Sequence, residues 1–145
     1  MKIRLATSND IENVCSFFSK YIVKGNDALY SDEFLCMFGV KAAIGRNQVI
    51  IATEDNQTVG AVRFYRKKQI SETSLYQFAL DSNHRGKSLL LKMLEQIRDR
   101  DIVVLCPKES QFNGYYDKTG WKILKEIGEC NQWCLQKLTD SGNIE

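Results

Sequence analysis

The sequence predicts an α/β protein in which helices flank one mixed sheet, folded as a single domain. Segments whose apolar residues alternate with a period of two indicate strands, and segments with apolar residues three and four positions apart indicate helices. The two kinds of segment interleave along the chain, which is typical of a mixed sheet with helices packed on it. The 145 residues, 43% of them hydrophobic, suffice for one core.

The N-terminal part of the chain predicts one strand followed by two helices. Lys2–Leu5 has the pattern of a short strand. Polar capping residues then precede a helix whose apolar side chains recur at helical spacing over residues 11–22. A second helix is expected over residues 31–45, with Phe34, Leu35, Phe38 and Ala42 as its apolar residues.

Three consecutive strands are predicted next, as an antiparallel meander. They cover residues 48–53, 58–66 and 70–80 and are joined by polar turns. In the third strand, alternation with period two assigns the side chains to two faces. One face is expected to carry Tyr76, Phe78 and Leu80, and the other Leu75, Gln77 and Ala79.

The C-terminal part predicts a helix over residues 89–97 and a strand over 101–106. A helix between two strands implies that these strands are parallel. A short helix over 110–118 and a hairpin of strands 121–127 and 132–138 complete the domain.

These elements add up to about six or seven strands and about four helices. We expect one domain over residues 1–138 and a polar tail over residues 139–145.

Charge and composition argue against several classes of protein. The net charge of +2 gives no broad field for nucleic acid or a membrane surface. The N-terminus has no apolar signal segment, and no apolar run approaches the about 20 residues of a membrane span, so we expect a cytoplasmic protein. The five cysteines form no CxxC pair, and His84 is the sole histidine, which predicts a reducing compartment and no metal site.

A polar turn before the third helix has the composition of a phosphate-binding site. It runs from Asp81 to Lys87, and Arg85 and Lys87 stand beside the start of the helix. The first N–H groups of a helix have no partner within it and lie at the positive end of its dipole, which favours anions. The alternative is that the turn is polar only because strand–helix connections lie on the surface.

Three segments in chain order resemble the GCN5-related N-acetyltransferase (GNAT) family, and the likeness covers nearly the whole chain. Thr58–Val62 resembles the family's strand with a glycine between hydrophobic residues, and Asn83–Ser88 resembles its pyrophosphate-binding turn. Asn113–Trp121 resembles the late aromatic-Tyr-x-Lys-x-Gly-aromatic segment, the most specific of the three. The resemblance implies a GNAT-like acyl-CoA N-acyltransferase fold. It also implies direct transfer of acetyl from acetyl-CoA to a primary amine in a ternary complex, without a metal.

The resemblance also implies roles for particular residues. The pantetheine arm would pair with the strand Phe78–Leu80, which would separate from the strand after it, and an N–H there would polarise the thioester carbonyl. Asn113 would bond the pantetheine amides, and Tyr116 would protonate the leaving thiolate. The implied cofactor-binding residues are Phe78, Ala79, Leu80, Arg85, Gly86, Lys87, Ser88, Leu89, Leu90 and Asn113.

Several of these residues have an alternative interpretation. Tyr116 could be a packing aromatic, and Asn113 could cap the short helix. The family's turn has two small residues after its basic first position. Counting from Arg85 places Ser88 and Leu90 at those positions, whereas counting from Asn83 places Gly86 and Ser88 there.

Two further functional assignments stay open. His84 is expected to be a solvated loop residue rather than part of a nucleophilic arrangement. Glu72 and Glu33 are candidates for a general base, and an ordered water is an alternative to both.

The expected partner is an amine acceptor, either a small molecule or a protein lysine or N-terminus. It would enter over the two N-terminal helices, an aromatic segment, and a homodimer is compatible with these features. The basic hairpin Arg66–Lys68 is interpreted as edge protection rather than a nucleic-acid site. The alternative function is a non-catalytic CoA-binding or protein-interaction module on the same fold. The aromatic residues of the acceptor segment are Tyr21, Tyr30, Phe34 and Phe38.

Overall fold

The structure, a computed structural model, describes residues 1–21, 37–86 and 88–138. The strands are β1 (Lys2–Leu5), β2 (Val49–Glu54), β3 (Gln57–Arg66), β4 (Glu72–Leu80), β5 (Asp101–Pro107), β6 (Lys122–Ile127) and β7 (Cys130–Leu135). The helices are α1 (Ile11–Tyr21), α2 (Met37–Gly45), α3 (Leu89–Leu94) and α4 (Phe112–Lys118). A 3-10 turn, Glu95–Ile97, continues α3.

The strands form one seven-stranded mixed sheet in the order β1-β2-β3-β4-β5-β7-β6. Neighbours from β1 to β4 are antiparallel, which confirms the predicted meander. β4 and β5 are parallel, as predicted from the helix between them. β5, β7 and β6 then pair antiparallel, so the C-terminal hairpin inserts its second strand between β5 and β6.

Helices pack on the sheet and bury two hydrophobic clusters. α1 and α2 pack on the central strands, where Val14, Phe18 and Ile44 belong to one cluster with sheet residues such as Ile51. α3 and α4 belong to the other cluster, which includes Met93 and Tyr116. The predicted apolar stripe of α3 is confirmed, because its members are all at most 3% exposed: Leu89, Leu90, Met93, Leu94 and Ile97.

Phe38, one of the apolar residues predicted for the second helix, does not lie on its buried face. Phe38 is 81% exposed, whereas Val40, Ala43 and Ile44 are buried. Two stripes of this sequence satisfy the helical period, and burial selects the one that contacts the sheet. The remaining part of the expected helix, residues 31–36, lies outside the described residues.

The predicted alternation along β4 is also wrong at its middle. Leu75 packs in the same cluster as Phe78 and Leu80, whereas Ala79 belongs to the other cluster. The register explains this, because Arg63 of β3 pairs with Gln77 and the next residue, Phe64, pairs with Leu75. Tyr76 is therefore an extra residue in β4, a β-bulge, and a bulge reverses the facing of the residues that precede it.

No helix among the described residues is long and apolar enough to cross a membrane. Within the same ranges, no group of His, Cys, Asp and Glu side chains is arranged to hold a metal ion. The predicted tail, residues 139–145, lies outside the described part of the chain.

Candidate active site

The parallel strands β4 and β5 pair over a short stretch and then separate. Glu72, Thr73 and Ser74 of β4 are in register with β5, and the pair Ser74–Val103 is the last. The rest of β4 pairs with β3 on its other side as far as Leu80. Backbone groups of β4 that point towards β5 therefore face a gap, which is an arrangement that an extended ligand can bind as an added strand.

The gap holds three of the predicted cofactor-binding residues. Phe78, Ala79 and Leu80 all lie beyond the last β4–β5 pair. Phe78 reaches across to α4, where its ring lies 5.7 Å from the ring of Phe112 in an edge-to-face contact. The predicted separation of these two strands is therefore present in the fold.

The turn after β4 has two residues in the left-handed region. Gly86 has φ of 74° and Ser88 has φ of 63°, and both are exposed. Glycine adopts this conformation without strain, but serine does not. Arg85 is exposed beside them, and Lys87 lies outside the described residues. The turn is exposed and leads into α3, whose first N–H groups have no partner within the helix.

Burial of α3 shows where Leu90 lies, which matters because one way of counting places it at a small position of the turn. Leu90 is 1% exposed and Leu89 is 3% exposed, so both side chains belong to the core and neither occupies the surface of the turn. A leucine at position 90 is therefore compatible with a ligand on the turn. The residues that form the exposed surface are Arg85, Gly86 and Ser88.

The expectation that His84 is a solvated loop residue is wrong, because its side chain is largely buried between this turn and the end of β2. Its side chain is only 17% exposed, with Nε2 3.3 Å from Oε1 of Glu54 and Nδ1 3.5 Å from Oδ1 of Asp81. Asp81 in turn accepts from the backbone N–H of Asn83 at 2.7 Å and from the hydroxyl of Tyr21 at 3.3 Å. The Asn83 hydrogen bond is the largest cause of a lowered pKa of Asp81.

Gly60 lies where β3 packs closely against side chains of α3 and β4. A Cβ at this position would lie 3.0 Å from Sδ of Met93 and 3.2 Å from Cδ2 of Leu80. Both contacts are tighter than ordinary packing, so a side chain here would force the side chains of Met93 and Leu80 to shift. The glycine between hydrophobic residues therefore allows the helix that follows the turn to approach the sheet closely.

Tyr116 is completely buried, at 0% exposure. Its ring lies 5.0 Å from that of Trp121 and 6.1 Å from that of Trp133. Complete burial supports the alternative that Tyr116 packs the core. Its neighbour Tyr115 is half-buried, and burial raises the pKa of its hydroxyl. Tyr116 also follows Phe112 by one helical turn on α4, so these two side chains share a face.

Asn113 uses its whole side-chain amide within the protein. Its Nδ2 donates to the carbonyl oxygens of Pro107 at 2.8 Å, Lys108 at 3.1 Å and Ser110 at 2.9 Å. Its Oδ1 accepts from Nε1 of Trp133 at 2.9 Å and from Nδ2 of Asn131 at 3.1 Å. These contacts join the end of β5, α4 and β7 and favour the structural role over a role in binding cofactor.

Of the two candidate general bases, Glu72 lies among the described residues and Glu33 does not. The carboxylate of Glu72 forms an ion pair with Nζ of Lys67 at the start of β4. Glu33, Tyr30 and Phe34 lie outside the described residues.

The basic hairpin is partly neutralised, because Arg66 makes paired hydrogen bonds with Asp99, both at 3.1 Å.

A cleft with two arginines lies on the α2 side of the sheet, and sequence patterns did not indicate it. Its volume is about 360 Å³. Arg63 of β3 and Arg46, just beyond α2, line it together with Ser74 and the bulge residue Tyr76. Only the bulge brings Tyr76 to this side, and a bulge could not be foreseen from alternation alone.

The residues present fit an acyl-CoA. The gap beside β4 can accept an extended polar arm, and the exposed turn at its end can accept a diphosphate because both Gly86 and Ser88 already have positive φ. Leu90 does not obstruct this surface.

Several solved N-acetyltransferases have the same architecture as this chain. The PaiA N-acetyltransferase from Thermoplasma acidophilum, in complex with coenzyme A, has a TM-score of 0.73 at 16% identity over 93% of this chain and 98% of that one. A GNAT-family acetyltransferase from Listeria monocytogenes has a TM-score of 0.72 at 13% identity, over 92% and 93%.

A domain of a larger enzyme has the same architecture. The N-acetylglutamate synthase from Neisseria gonorrhoeae, complexed with coenzyme A and N-acetylglutamate, has a TM-score of 0.69 at 14% identity, over 92% of this chain and 34% of that one. No protein-family model and no curated protein matches the sequence. The seven-stranded sheet, the separated parallel strands and these structural similarities together show that this chain has the fold of the GNAT-family N-acetyltransferases.

Proposed function

We propose that this protein is an acetyltransferase that moves acetyl from acetyl-CoA to a primary amine. The observation that carries the proposal is the gap between β4 and β5, which opens after the Ser74–Val103 pair and ends at the exposed turn. A strand edge beside an anion-binding turn matches the two polar parts of coenzyme A. The shared fold with acetyltransferases solved in complex with coenzyme A supports this assignment.

The turn is proposed to hold the pyrophosphate. Backbone N–H groups of Ser88, Leu89 and Leu90 stand at the start of the helix formed by α3 and its 3-10 continuation, where they lack partners within the helix. Arg85 adds a guanidinium that can pair bidentately with phosphate oxygens, and Lys87 adds a second cation. The positive φ of Gly86 lets backbone approach the ligand closely.

The gap is proposed to hold the pantetheine arm along Phe78, Ala79 and Leu80. An N–H group of β4 that faces the gap would donate to the thioester carbonyl, which would favour charge on that oxygen during transfer. Bound acetyl-CoA supplies the acyl group and the thiolate leaving group. The protein's contribution is then to hold both substrates in line and to exclude water.

Tyr116 is proposed as the proton donor, on the strength of its position in the motif. Its hydroxyl is buried, so on this proposal it has to become accessible to the leaving thiolate. Asn113 is proposed to act on this site indirectly, through its bonds to the carbonyls that precede α4.

Release of free thiol from acetyl-CoA, in the presence of a panel of amines, tests this function. We expect amine-dependent release and an acetylated amine of matching amount in the mass spectrum. Thiol release that does not depend on the amine, or no release with any amine, would contradict acetyl transfer.

The burial of Tyr116 favours a second candidate, a non-catalytic module that binds coenzyme A or a protein. The two functions differ in turnover and share cofactor binding. A protein that binds acetyl-CoA and transfers nothing to any amine, protein lysine or N-terminus in the panel is the non-catalytic module.

A further inference from the structure

The cleft on the α2 side of the sheet carries a fixed positive charge. Arg46 and Arg63 are the charged side chains of its described lining, and no carboxylate lines it among the residues that the structure describes. Neither guanidinium forms an ion pair with a described Asp or Glu. Two cations that have no counterion among the described residues favour an anionic occupant of the cleft.

Arg63 is held in one orientation. Its guanidinium lies over the ring of Tyr76, 4.2 Å from the ring centroid, and its Nη1 donates to Oε1 of Gln77 at 3.3 Å. Gly39 of α2 leaves the space for it, since a Cβ there would lie 3.2 Å from Nη1 and 3.3 Å from Nη2. An arginine that is stacked and hydrogen-bonded loses less side-chain freedom when it binds a planar anion.

Arg63 also keeps donors for a ligand. A guanidinium has five N–H donors, and one of them is used by the contact with Gln77. The geometry of such a fork matches a carboxylate, with two parallel N–H to oxygen bonds. Arg46 stands at the other wall of the cleft, on the exposed end of α2, and adds a second charge.

The cleft lies next to the point where β4 and β5 begin to separate. Ser74 lines the cleft and belongs to the last pair that joins β4 to β5. Tyr76, the bulge residue, lines the cleft two positions further along the same strand. A molecule anchored by its anionic group to Arg63 therefore lies beside the place where the gap for the acyl donor begins.

We propose that this cleft selects the acceptor, and that the acceptor is an amine that also carries a carboxylate, bound by Arg63 with help from Arg46. This inference rests on the proposed acetyltransferase function and deepens it by naming the class of acceptor. The absence of carboxylates from the described lining disfavours acceptors whose remaining part is a polycation. The aromatic rings of Tyr65 and Tyr76 favour an amino acid with an apolar or aromatic side chain.

Matched pairs of amines test the proposal, because the members of each pair differ only in the α-carboxylate. Suitable pairs are L-phenylalanine with phenethylamine, L-leucine with 3-methylbutylamine and L-lysine with cadaverine. Acetylation is followed by thiol release, and direct binding of each amine is measured by isothermal titration without the acyl donor. We expect the carboxylated member to bind about 10- to 100-fold more tightly in at least the apolar pairs.

Variants connect the preference to the arginines. In Arg63→Met, we expect each carboxylated amine to bind no more tightly than the matching amine without a carboxylate. The affinity for coenzyme A is expected to be unchanged. Arg46→Met, at an exposed position that perturbs the fold less, is expected to reduce the preference by a smaller factor. Lys41→Met is the control, because it removes an exposed cation of α2 that does not line the cleft.

A further variant tests the geometry without changing the charge. Gly39→Ala places a methyl group against the guanidinium of Arg63 and is expected to weaken the preference.

Equal binding of both members of every pair, or a preference that survives in both arginine variants, would overturn the proposal. Because the titration needs no acyl donor, this result is separate from a failure of acetyl transfer. If the protein binds no coenzyme A but still prefers the carboxylated amines through Arg63, the result supports the anion site and contradicts the acetyltransferase function.

Discussion

Trp133 donates from its indole Nε1 to Oδ1 of Asn113 across 2.9 Å, inside the second half of the sheet. This bond links β7 to α4, the helix that carries Tyr115 and Tyr116. The other end of the same amide holds the carbonyls of Pro107 and Ser110, at the end of β5. The position of the candidate proton donor relative to the gap therefore depends on one side-chain amide.

Asn113→Ala should lower stability more than it lowers cofactor affinity. It leaves the buried indole N–H of Trp133 without its acceptor, and a buried donor without a partner costs about 1–3 kcal/mol. We expect that loss in the free energy of unfolding, measured with urea, and a change of less than about threefold in the affinity for coenzyme A. Asn131→Ala is the control, because it removes only one donor to Oδ1 and should cost less. The reverse pattern would show that Asn113 binds the cofactor directly.

Ser88→Gly should stabilise the turn. Ser88 has φ of 63°, and a non-glycine residue in this region costs about 1 kcal/mol or more. Part of that gain is offset by the larger freedom of glycine in the unfolded chain, so we expect an unfolding free energy higher by about 0.5 kcal/mol. Coenzyme A affinity should be equal or higher. Gly86→Ser is the matched control, since it introduces strain at φ of 74° and should lower both quantities.

Asp10 should stabilise the protein at neutral pH and lose this effect in acid. Hydrogen bonds from Arg4, at 2.8 and 3.0 Å, are the largest cause that lowers the pKa of Asp10 to about 2. A carboxyl whose pKa is lower in the folded state stabilises it above its unfolded pKa of about 3.9, here by about 2 kcal/mol. This stabilisation is lost as the pH falls from about 4 towards 2.

Urea unfolding as a function of pH measures that contribution. Asp10→Asn should lower the unfolding free energy at pH 7 and flatten its fall between about pH 4 and pH 2. Asp99→Asn is the control, because Asp99 pairs with Arg66 at an exposed site, where such a pair contributes less than about 1 kcal/mol. Equal effects of the two substitutions would contradict the account of Asp10.

Tyr116→Phe separates catalysis from packing. If Tyr116 donates the proton, we expect kcat to fall by a factor of about 100 or more, with coenzyme A affinity and thermal stability little changed. Tyr115→Phe is the control on the same helix and should leave kcat within a few-fold. An unchanged kcat with a lower melting temperature would assign Tyr116 to the core, as its burial suggests.

The order of the elements could be predicted because each has a distinct local pattern. β2 and β5 are compact apolar runs, α3 carries apolar residues at helical spacing, and polar turns separate the elements. The parallel pairing of β4 with β5 followed from the helix between them.

The predictions failed where tertiary contacts choose between equivalent local patterns. Phe38 fits one helical stripe of α2, but the sheet contacts the stripe of Val40 and Ala43. Tyr76 fits the alternation of β4 until the bulge opposite Arg63 shifts it to the other face. Neither choice is visible in a window of sequence, because each depends on a strand or helix far along the chain.

The candidate site could be predicted from the sequence only where its residues form a local pattern. The turn at Arg85 and Gly86 is a local pattern, and it lies where the sequence indicated. The roles of His84 and Asn113 depend on partners about 18 to 30 residues away, at Glu54 and Asn131, and sequence spacing gave no signal for those contacts. Burial of Tyr116 by Trp121 and Trp133 belongs to the same class of long-range information.

The central claim is that the gap beside β4 and the turn at Gly86 bind an acyl-CoA. The most direct measurement is the melting temperature of the protein with and without acetyl-CoA. A ligand that binds only the native state at about 100 times its dissociation constant adds about 2.7 kcal/mol of stability, so we expect a rise of several degrees. The rise should be smaller in Gly86→Ser than in the wild-type protein. An unchanged melting temperature at millimolar acetyl-CoA would contradict the account.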